Sequence, residues 1–356
     1  MFAVCQVLSQ VAREGPSIKR CLSWKSESAL QGLLGASDSI FYVGLESGTL
    51  VALESKGLTV KWRAELGGKF TSDAVAFNDS VVVVNGISTE NVSGPGTSTL
   101  RLISAGTGVV SWAVKLPQSE RYYLEKSGLD IAVLNSNGAF SLIDLATGRV
   151  KKNSIAFGAI GTPISFTAEK AVYGTVDQRL LLVSLRTGEV LLQTTLEYMP
   201  TSVAFSQSGN IAVGDKRGNL MLLSGDDGKV LWRFKSGAAV SSIRGNDDGV
   251  FLTSLDNFVY RLSNYNGDVI WKRRLTGRVV DDGILLDGYF AIPVFGENTV
   301  FLLDVQKGKI EKEIVADGYE LLSRQSLSSS NGFLALSGHD LIETYSARPC
   351  MAEVKK

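Results

Sequence analysis

The 356-residue sequence contains few of the side chains that carry metal and nucleophilic chemistry, with one histidine and three cysteines. It has no Cys-x-x-Cys pair and no histidine cluster, so the sequence offers almost no residues that could form a zinc site or a histidine-based triad. No run of about 18 apolar residues occurs, so no membrane-spanning helix is predicted. Basic and acidic residues number 36 each, which leaves no positive excess for binding nucleic acid.

Proline is also scarce, at 7 residues, whereas glycine is abundant, at 37. So many glycines indicate numerous short strands joined by tight turns. The apolar fraction of 44% and charged fraction of 20% are those of an ordinary globular chain, which excludes a disordered protein. The composition therefore predicts an all-β fold.

One hairpin unit recurs along the chain, an apolar run followed by a glycine turn and a second apolar run. Its turn glycines are Gly57, Gly108, Gly148, Gly188, Gly228, Gly267 and Gly308, and their successive differences are 51, 40, 40, 40, 39 and 41. The one long interval contains residues 87–99, a Ser/Gly/Thr-rich stretch that we interpret as a surface insertion. Two further apolar runs precede each hairpin, for example residues 201–205 and 210–214 before Leu220. A four-stranded repeat of about forty residues predicts a β-propeller.

The two chain ends are predicted to share one blade. After the seventh hairpin the sequence supplies three strands, near residues 320–326, 332–337 and 341–346, and residues 19–26 supply a fourth. Seven complete blades and this composite make an eight-bladed propeller over residues 19–346, with tails at 1–18 and 347–356. An N-terminal strand that completes the last blade closes the ring and leaves no open sheet.

Five tryptophans are predicted to share one repeat position, Trp24, Trp62, Trp112, Trp232 and Trp271. An indole at this position can bury a large apolar area against the next blade while its N–H finds a partner. We therefore predict that these tryptophans pack between blades and do not stack on a cofactor.

Cys21 and Cys350 are predicted to meet where the ring closes. Aligning Leu341 with Leu220 places Cys350 at the position of Lys229, and aligning Trp24 with Trp232 places Cys21 there too. In an oxidising compartment the two could form a disulfide. The alternative, which we favour from sequence alone, is two free thiols beside frayed ends.

The repeat resembles the pyrroloquinoline-quinone-type propeller repeat. The resemblance rests on an aliphatic strand, a small or acidic turn ending in glycine, and Val or Ile before Trp, as in residues 226–232 (DDGKVLW), 266–271 (NGDVIW) and 106–112 (GTGVVSW). It covers nearly the whole chain and indicates the fold more specifically than the function. One branch of this family comprises quinoprotein dehydrogenases. The other comprises non-enzymatic propellers, chiefly the BamB family of periplasmic lipoproteins.

Resemblance to the BamB branch implies a scaffold without cofactor that docks on the periplasmic domains of BamA and assists assembly of outer-membrane β-barrel proteins. In that family the partner surface lies on links between blades near the middle of the ring. The corresponding links here are residues 155–162 (IAFGAIGT) and 195–201 (TLEYMPT). We therefore expect the partner to contact Phe157, Ile160, Glu197 and Tyr198, since exposed apolar residues on short turns suit a protein interface.

Two rival functions remain open. A quinone-dependent dehydrogenase would be longer and would bring adjacent cysteines and a metal-bound quinone. The Asp281–Asp282 pair, at the expected start of a channel-facing strand, is the one weak cation candidate. The second rival is a scaffold for another protein partner, with the cytoplasm as the alternative location.

Three other features have plainer interpretations. His339 lies in a Ser-Gly-His-Asp turn and is expected to be exposed, and the Gly94-Pro95-Gly96 loop lacks the Lys and helix of a phosphate cradle.

Residues 2–8 are apolar but lack the basic start of a signal peptide. We expect either a truncated start, with any lipid anchor outside this chain, or a protein that is not a lipoprotein.

Overall fold

The computed structural model describes residues 18–87, 97–155, 157–206, 208–279, 283–286, 288–294, 298–315, 327–330, 332–346 and 350. These residues form eight antiparallel sheets in a ring, which confirms the predicted eight-bladed propeller. The described part of the chain contains no helix long and apolar enough to cross a membrane.

Each blade has four strand positions, from the inner strand beside the ring axis to the outer strand at the rim. Blade 1 contains β2 (Leu30–Ala36), β3 (Ile40–Leu45), β4 (Thr49–Glu54) and β5 (Val60–Glu65). Blade 2 contains β6 (Lys69–Phe70), β7 (Val75–Phe77), β8 (Ser80–Ile87), β9 (Thr97–Ser104) and β10 (Val110–Leu116). Blade 3 contains β11 (Tyr122–Ser127), β12 (Asp130–Asn135), β13 (Phe140–Asp144) and β14 (Val150–Ser154). Blade 4 contains β15 (Ser165–Phe166), β16 (Lys170–Gly174), β17 (Arg179–Ser184) and β18 (Val190–Thr195).

The second half of the ring repeats this order. Blade 5 contains β19 (Pro200–Phe205), β20 (Ile211–Asp215), β21 (Asn219–Leu223) and β22 (Val230–Lys235). Blade 6 contains β23 (Val240–Asn246), β24 (Gly249–Ser254), β25 (Phe258–Leu262) and β26 (Val269–Arg274). Blade 7 contains β27 (Ile284–Leu286), β28 (Tyr289–Val294), β29 (Thr299–Asp304) and β30 (Ile310–Val315). Blade 8 contains β31 (Leu327–Ser330), β32 (Phe333–Ser337) and β33 (Leu341–Ser346), with β1 (Lys19–Lys25) as its outer strand.

The inner strand of blade 2 is broken, which the sequence pattern did not predict. Both β6 and β7 pair with β8, and residues 71–74 interrupt them. The Ser72 hydroxyl accepts the Val84 backbone N–H at 2.8 Å, so a side chain satisfies a buried donor across the break. The central part of the predicted insertion, residues 88–96, lies outside the described residues, as do the predicted strand at 320–326 and the Gly94-Pro95-Gly96 loop.

The core lies between blades. Every residue of the second strand of blade 1, β3, is buried, because side chains on both faces of the sheet pack against apolar neighbours. A representative cluster joins Leu134 and Phe140 of blade 3 to Tyr173 and Leu181 of blade 4. The ring therefore has no single centre of packing and depends on contact between successive sheets.

Four tryptophans pack between consecutive blades, as predicted. Each indole N–H donates to a backbone carbonyl in the next blade, at 2.9 to 3.1 Å: Trp62 to Ala105, Trp112 to Leu145, Trp232 to Asn264 and Trp271 to Val305. Each ring also lies against the turn glycine of that blade. At Gly267, where φ is +75°, an added Cβ would lie 2.6 Å from the Trp232 ring.

The ring closes as predicted, but the register of the closing strand differs from the sequence alignment. We call the pairing of β1 with β33 the ring-closing seam; in it Leu22 lies opposite Thr344 and Trp24 opposite Ile342. In blade 5 the residue directly after the strand bulge is Trp232, whereas in the seam it is Leu22. The prediction that Trp24 occupies the repeat tryptophan position is therefore wrong by two residues.

The seam also changes the alignment of the two cysteines. Cys21 is the bulged residue of β1, which corresponds to Leu231 in blade 5 and not to Lys229. The two sulfur atoms nevertheless lie 2.07 Å apart, with the Cα atoms 5.3 Å apart, so the structure bonds Cys21 to Cys350. This disulfide joins β1 to Cys350, four residues after the end of β33, whereas in other blades a turn of the chain connects the third and fourth strands.

Two ion pairs reinforce the seam. Glu343 is buried, and its carboxylate meets Arg20 and accepts the Tyr345 hydroxyl at 2.9 Å. At the other end Lys25 lies 3.3 Å from Asp340. A buried acid paired with both a cation and a hydroxyl fixes the register of the closing strand, because a slip would leave it uncompensated.

Candidate functional site

The links between blades gather on one face of the ring. In an antiparallel blade, the turn between the second and third strands lies on the same side as the link into the next blade. We call this side the link face; near the candidate residues it consists of links 155–164 and 196–199 with turns 136–139, 175–178 and 216–218. Links and turns are hydrogen-bonded to each other, as where Leu196 N–H donates to Gln178 O at 2.7 Å.

Phe157 lies on the link from blade 3 to blade 4. Its carbonyl accepts a hydrogen bond from Arg179 Nη2 at 2.9 Å, and the same guanidinium contacts the Asp177 carboxylate at 2.8 Å. The Asp177 pKa is lowered, first by its hydrogen bond from Arg179 and then by that from Thr175. This network holds the link against the blade 4 turn.

Ile160 lies three residues further along the same link. Its N–H donates to Ser136 O at 2.9 Å, and it forms a bridge with Thr175 of blade 4. Ile160 is half-buried, as is Phe157, and both pack against the cluster between blades 3 and 4. The expectation that these two side chains are exposed is therefore wrong, because they pack against the core below the link.

The exposed apolar side chains here are two that the sequence analysis missed. Ile155 is 83% exposed at the start of the link, and Val176 is 50% exposed on the blade 4 turn. The only signal was position: Ile155 directly follows β14, and Val176 lies two residues after the end of β16. The apolar part of the link face thus lies beside the predicted residues.

Glu197 and Tyr198 lie on the next link, from blade 4 to blade 5. Glu197 is exposed and Tyr198 is half-buried. The Arg217 guanidinium carbon lies 5.7 Å from the Tyr198 ring centroid. The hydrogen bond and the negative charge of Glu197 raise the Tyr198 pKa. The pair therefore offers a hydroxyl, a carboxylate and a ring on one short link.

A recess of about 520 Å³ opens on the link face beside blade 3. Its lining residues are mostly polar and come from two links and one turn: Gln118, Ser119, Glu120, Ser136, Asn137, Ala159 and Ile160. The hydroxyls of Ser119 and Ser136 are 2.7 Å apart, which ties the two sides together. The structure thus places Ile160 in a concave polar surface, while Glu197 and Tyr198 lie on the following link.

The other candidates are turn residues or are not described. His339 is exposed in the blade 8 turn, as predicted. Asp227 lies in the blade 5 turn, where its carboxylate accepts the Lys229 N–H at 3.2 Å, and the candidate pair Asp281 and Asp282 lies outside the described residues. Within the part of the chain that is described, no group of three or more His, Cys, Asp and Glu residues is arranged to hold a metal ion.

Sequence comparison places these features in a family. The model described as "Outer membrane protein assembly factor BamB" matches residues 20–169 and 176–316. The chain belongs to this BamB family. None of the curated proteins compared with the chain matches it. The family match includes both links that carry the candidate residues.

Solved structures agree with this BamB-family fold. BamB from Moraxella catarrhalis has a TM-score of 0.65 and 15% identity, covering 93% of this chain and 98% of its own. The computationally designed Ika8 protein has a TM-score of 0.72 and 14% identity, covering 91% and 100%. The C-terminal WD40 domain of Sif2 has a TM-score of 0.72 and 12% identity, covering 93% and 98%. At these identities the likeness is one of fold alone.

Proposed function

We propose that this protein is a non-catalytic propeller scaffold that docks on the periplasmic domains of BamA and acts in the assembly of outer-membrane β-barrel proteins. Membership of the BamB family is the observation that carries the proposal. A periplasmic, outer-membrane-associated location follows from the same proposal. A rigid ring with eight sets of links supports it, because such a body presents a broad surface without any chemistry being done.

The link face of blades 3 to 5 is the proposed docking surface. It includes the exposed side chains of Ile155 and Val176. Ile155 lies on the same link as Phe157, and Val176 lies on the turn that is hydrogen-bonded to this link. Glu197 and Tyr198 supply the polar part of the surface. Apolar centres bordered by polar groups are the usual composition of protein interfaces. Phe157 and Ile160 support the surface from below, since they are half-buried.

A pulldown with the periplasmic domains of BamA tests the docking surface. The double variant Glu197→Lys and Tyr198→Ala reverses one charge and removes one ring, and we expect it to weaken binding by about tenfold or more. The matched control is Asp268→Lys with Tyr265→Ala, again an acid and a tyrosine but on the opposite face, where Tyr265 is 95% exposed. Unchanged binding of the first variant would move the interface elsewhere, and no binding of the unmodified protein would contradict BamA as the partner.

The non-catalytic part of the proposal has its own test. The sequence has three cysteines, Cys5, Cys21 and Cys350, and no two are adjacent, unlike the pairs that accompany quinone in the dehydrogenase branch. Titration with pyrroloquinoline quinone and calcium, followed by quinone absorbance, is expected to show no saturable binding. Saturable binding would contradict the proposal and favour the enzymatic branch.

A further inference from the structure

The outer strands of the blades are edge strands. The outermost strand of each sheet pairs on one side only, so its other side presents backbone N–H and C=O groups to the surroundings. Charged side chains on such strands discourage pairing with other chains. Seven of the eight outer strands contain at least one charged residue, namely β1, β5, β10, β14, β22, β26 and β30.

Blade 4 is the exception. Its outer strand β18 (Val190–Thr195) has the sequence VLLQTT, with no charged residue and no proline. The side chain of Leu191 is 49% exposed, and Gln193 and Thr195 are exposed as well. A six-residue edge of β-branched, aliphatic and amide side chains without a charge is the kind of edge that accepts another strand.

The backbone of β18 shows which groups point away from the blade. Leu196 N–H donates to Gln178 O of the neighbouring turn at 2.7 Å, so position 196 faces the blade. Backbone direction alternates along a strand, and Thr194 therefore faces β17, while Gln193 and Thr195 face outward. In the described part of the chain, β18 pairs with β17 and with no other strand.

An exposed acid lies at each end of this edge. Glu189 directly precedes β18 and Glu197 follows it by two residues. Two arginines near these ends already have contacts, because Arg186 lies 3.6 Å from Glu169 and Arg217 lies over Tyr198. Over eight residues at about 3.3 Å each, the two acids are roughly 26 Å apart. This spacing matches a six-residue strand with a basic residue at each end.

We propose that the outer edge of β18 binds an extended segment of a partner polypeptide by strand addition, and that basic residues flank this segment. The outward backbone groups of Gln193 and Thr195 pair with the added strand, and Glu189 and Glu197 attract its ends. A second copy of this chain fits less well. Antiparallel pairing of two β18 strands about a twofold axis would bring Glu189 of one copy beside Glu197 of the other, at both ends.

A labelled peptide tests the edge directly. The probe contains three valine–threonine repeats with one lysine at each end, and its binding is followed by fluorescence anisotropy at low salt. The variant Gln193→Pro removes an outward N–H, and proline is tolerated on the open side of an edge strand. The matched control is Arg233→Pro, at the equivalent register position of blade 5, since Gln193 pairs with Leu181 as Arg233 pairs with Met221.

We expect saturable binding of the lysine-ended probe, and weakening by about tenfold or more in Gln193→Pro but not in Arg233→Pro. A probe with glutamate at both ends should bind about tenfold more weakly than the lysine-ended one. Gln193→Lys, which leaves the backbone intact, should also weaken binding if the proline variant melts early. Absence of binding to the unmodified protein would overturn the proposal, as would binding by Gln193→Pro and Gln193→Lys that is as tight as that of the unmodified protein. Dimerisation of the unmodified protein that Gln193→Lys abolishes would overturn it too, by assigning the edge to a second copy.

Discussion

At the scale of single residues, contacts between tryptophan and glycine determine how blades stack. The indole of Trp232 donates to Asn264 O at 3.1 Å and lies against Gly267 of the next blade. The same pairing recurs at Trp62 with Gly108. Glycine is required for two reasons: φ is positive, and the indole ring occupies the space that a Cβ atom would take. The sequence pattern indicated both residues, because the two positions recur together in the repeat.

Substitution of Gly267 by alanine tests this pairing. We expect Gly267→Ala to lower the free energy of unfolding by about 2 to 4 kcal/mol, because φ is strained and Trp232 must move. The control is Gly288→Ala, where φ is +84° but nothing lies within 4 Å of the added carbon. The control should cost about 1 kcal/mol, through the backbone alone. Equal losses in urea unfolding would show that the indole contact contributes nothing.

Acid stability depends on turn carboxylates such as Asp144. Hydrogen bonds from Lys151 and then from Thr147 lower its pKa to about 2. Its folded pKa thus lies below the unfolded value of about 4. The stability that Asp144 contributes is therefore present above about pH 4 and is lost as the pH falls towards 2.

The variant Lys151→Met removes the largest cause of this shift. We expect its urea-unfolding midpoint to fall less steeply between pH 4 and pH 2 than that of the unmodified protein. Lys229→Met, made beside Asp227 whose pKa is also about 2, offers a second independent site. Identical pH dependence in the variants and the unmodified protein would refute this account of the two turns.

At the scale of elements, the sequence predicted the blades well and the ring-closing seam less well. Regular turn glycines such as Gly188 and Gly228 mark the third and fourth strands, so the blade count followed from their spacing. Blade 8 has no such glycine turn, because its third strand β33 and its outer strand β1 come from opposite ends of the chain. Trp24 alone then suggested the register, and it lies two residues from the repeat position because Leu22 takes that place.

Side-chain burial on the links could not be predicted from the sequence. Phe157 and Ile160 lie on the link between β14 and β15, which suggested exposure, but both side chains pack between blades 3 and 4. Ile155, two residues earlier, is the exposed member. Whether an apolar link residue packs inward depends on the gap between two sheets, and only the assembled ring defines that gap.

The seam strand is expected to be essential for stability. Deleting residues 1–26 removes β1, which exposes the edge of β33 and takes away Arg20, the cation that pairs with Glu343. We expect a melting temperature several degrees lower, or loss of the cooperative transition, in calorimetry. Unchanged melting after the deletion would contradict closure of the ring by β1.

The disulfide of the seam can be tested separately. Cys21 and Cys350 are 329 residues apart, and the chain-entropy relation gives an upper bound of about 5 to 6 kcal/mol for so long a loop. Reduction should therefore lower the melting temperature of the unmodified protein and leave that of Cys21→Ser unchanged. An equal melting temperature before and after reduction would mean that strand pairing alone holds the ring shut.

At the scale of the whole molecule, the two faces of the ring differ in what they offer a partner. The link face contains hydrogen-bonded links, the recess beside blade 3 and exposed Ile155, whereas the opposite face contains the glycine turns. The opposite face also has exposed apolar residues, among them Tyr265 and Leu129. The exposure of apolar residues therefore does not show which face binds a partner. We assign docking to the link face because partner contacts in the BamB family lie on links between blades.

Hydrogen–deuterium exchange of the protein with and without the periplasmic domains of BamA tests the central claim most directly. We predict slower exchange at links 155–164 and 196–199 and at turn 175–178 in the complex, with no change at the glycine turns of the opposite face. Slower exchange confined to the opposite face, or no difference anywhere at saturating partner concentration, would contradict docking of BamA on the link face.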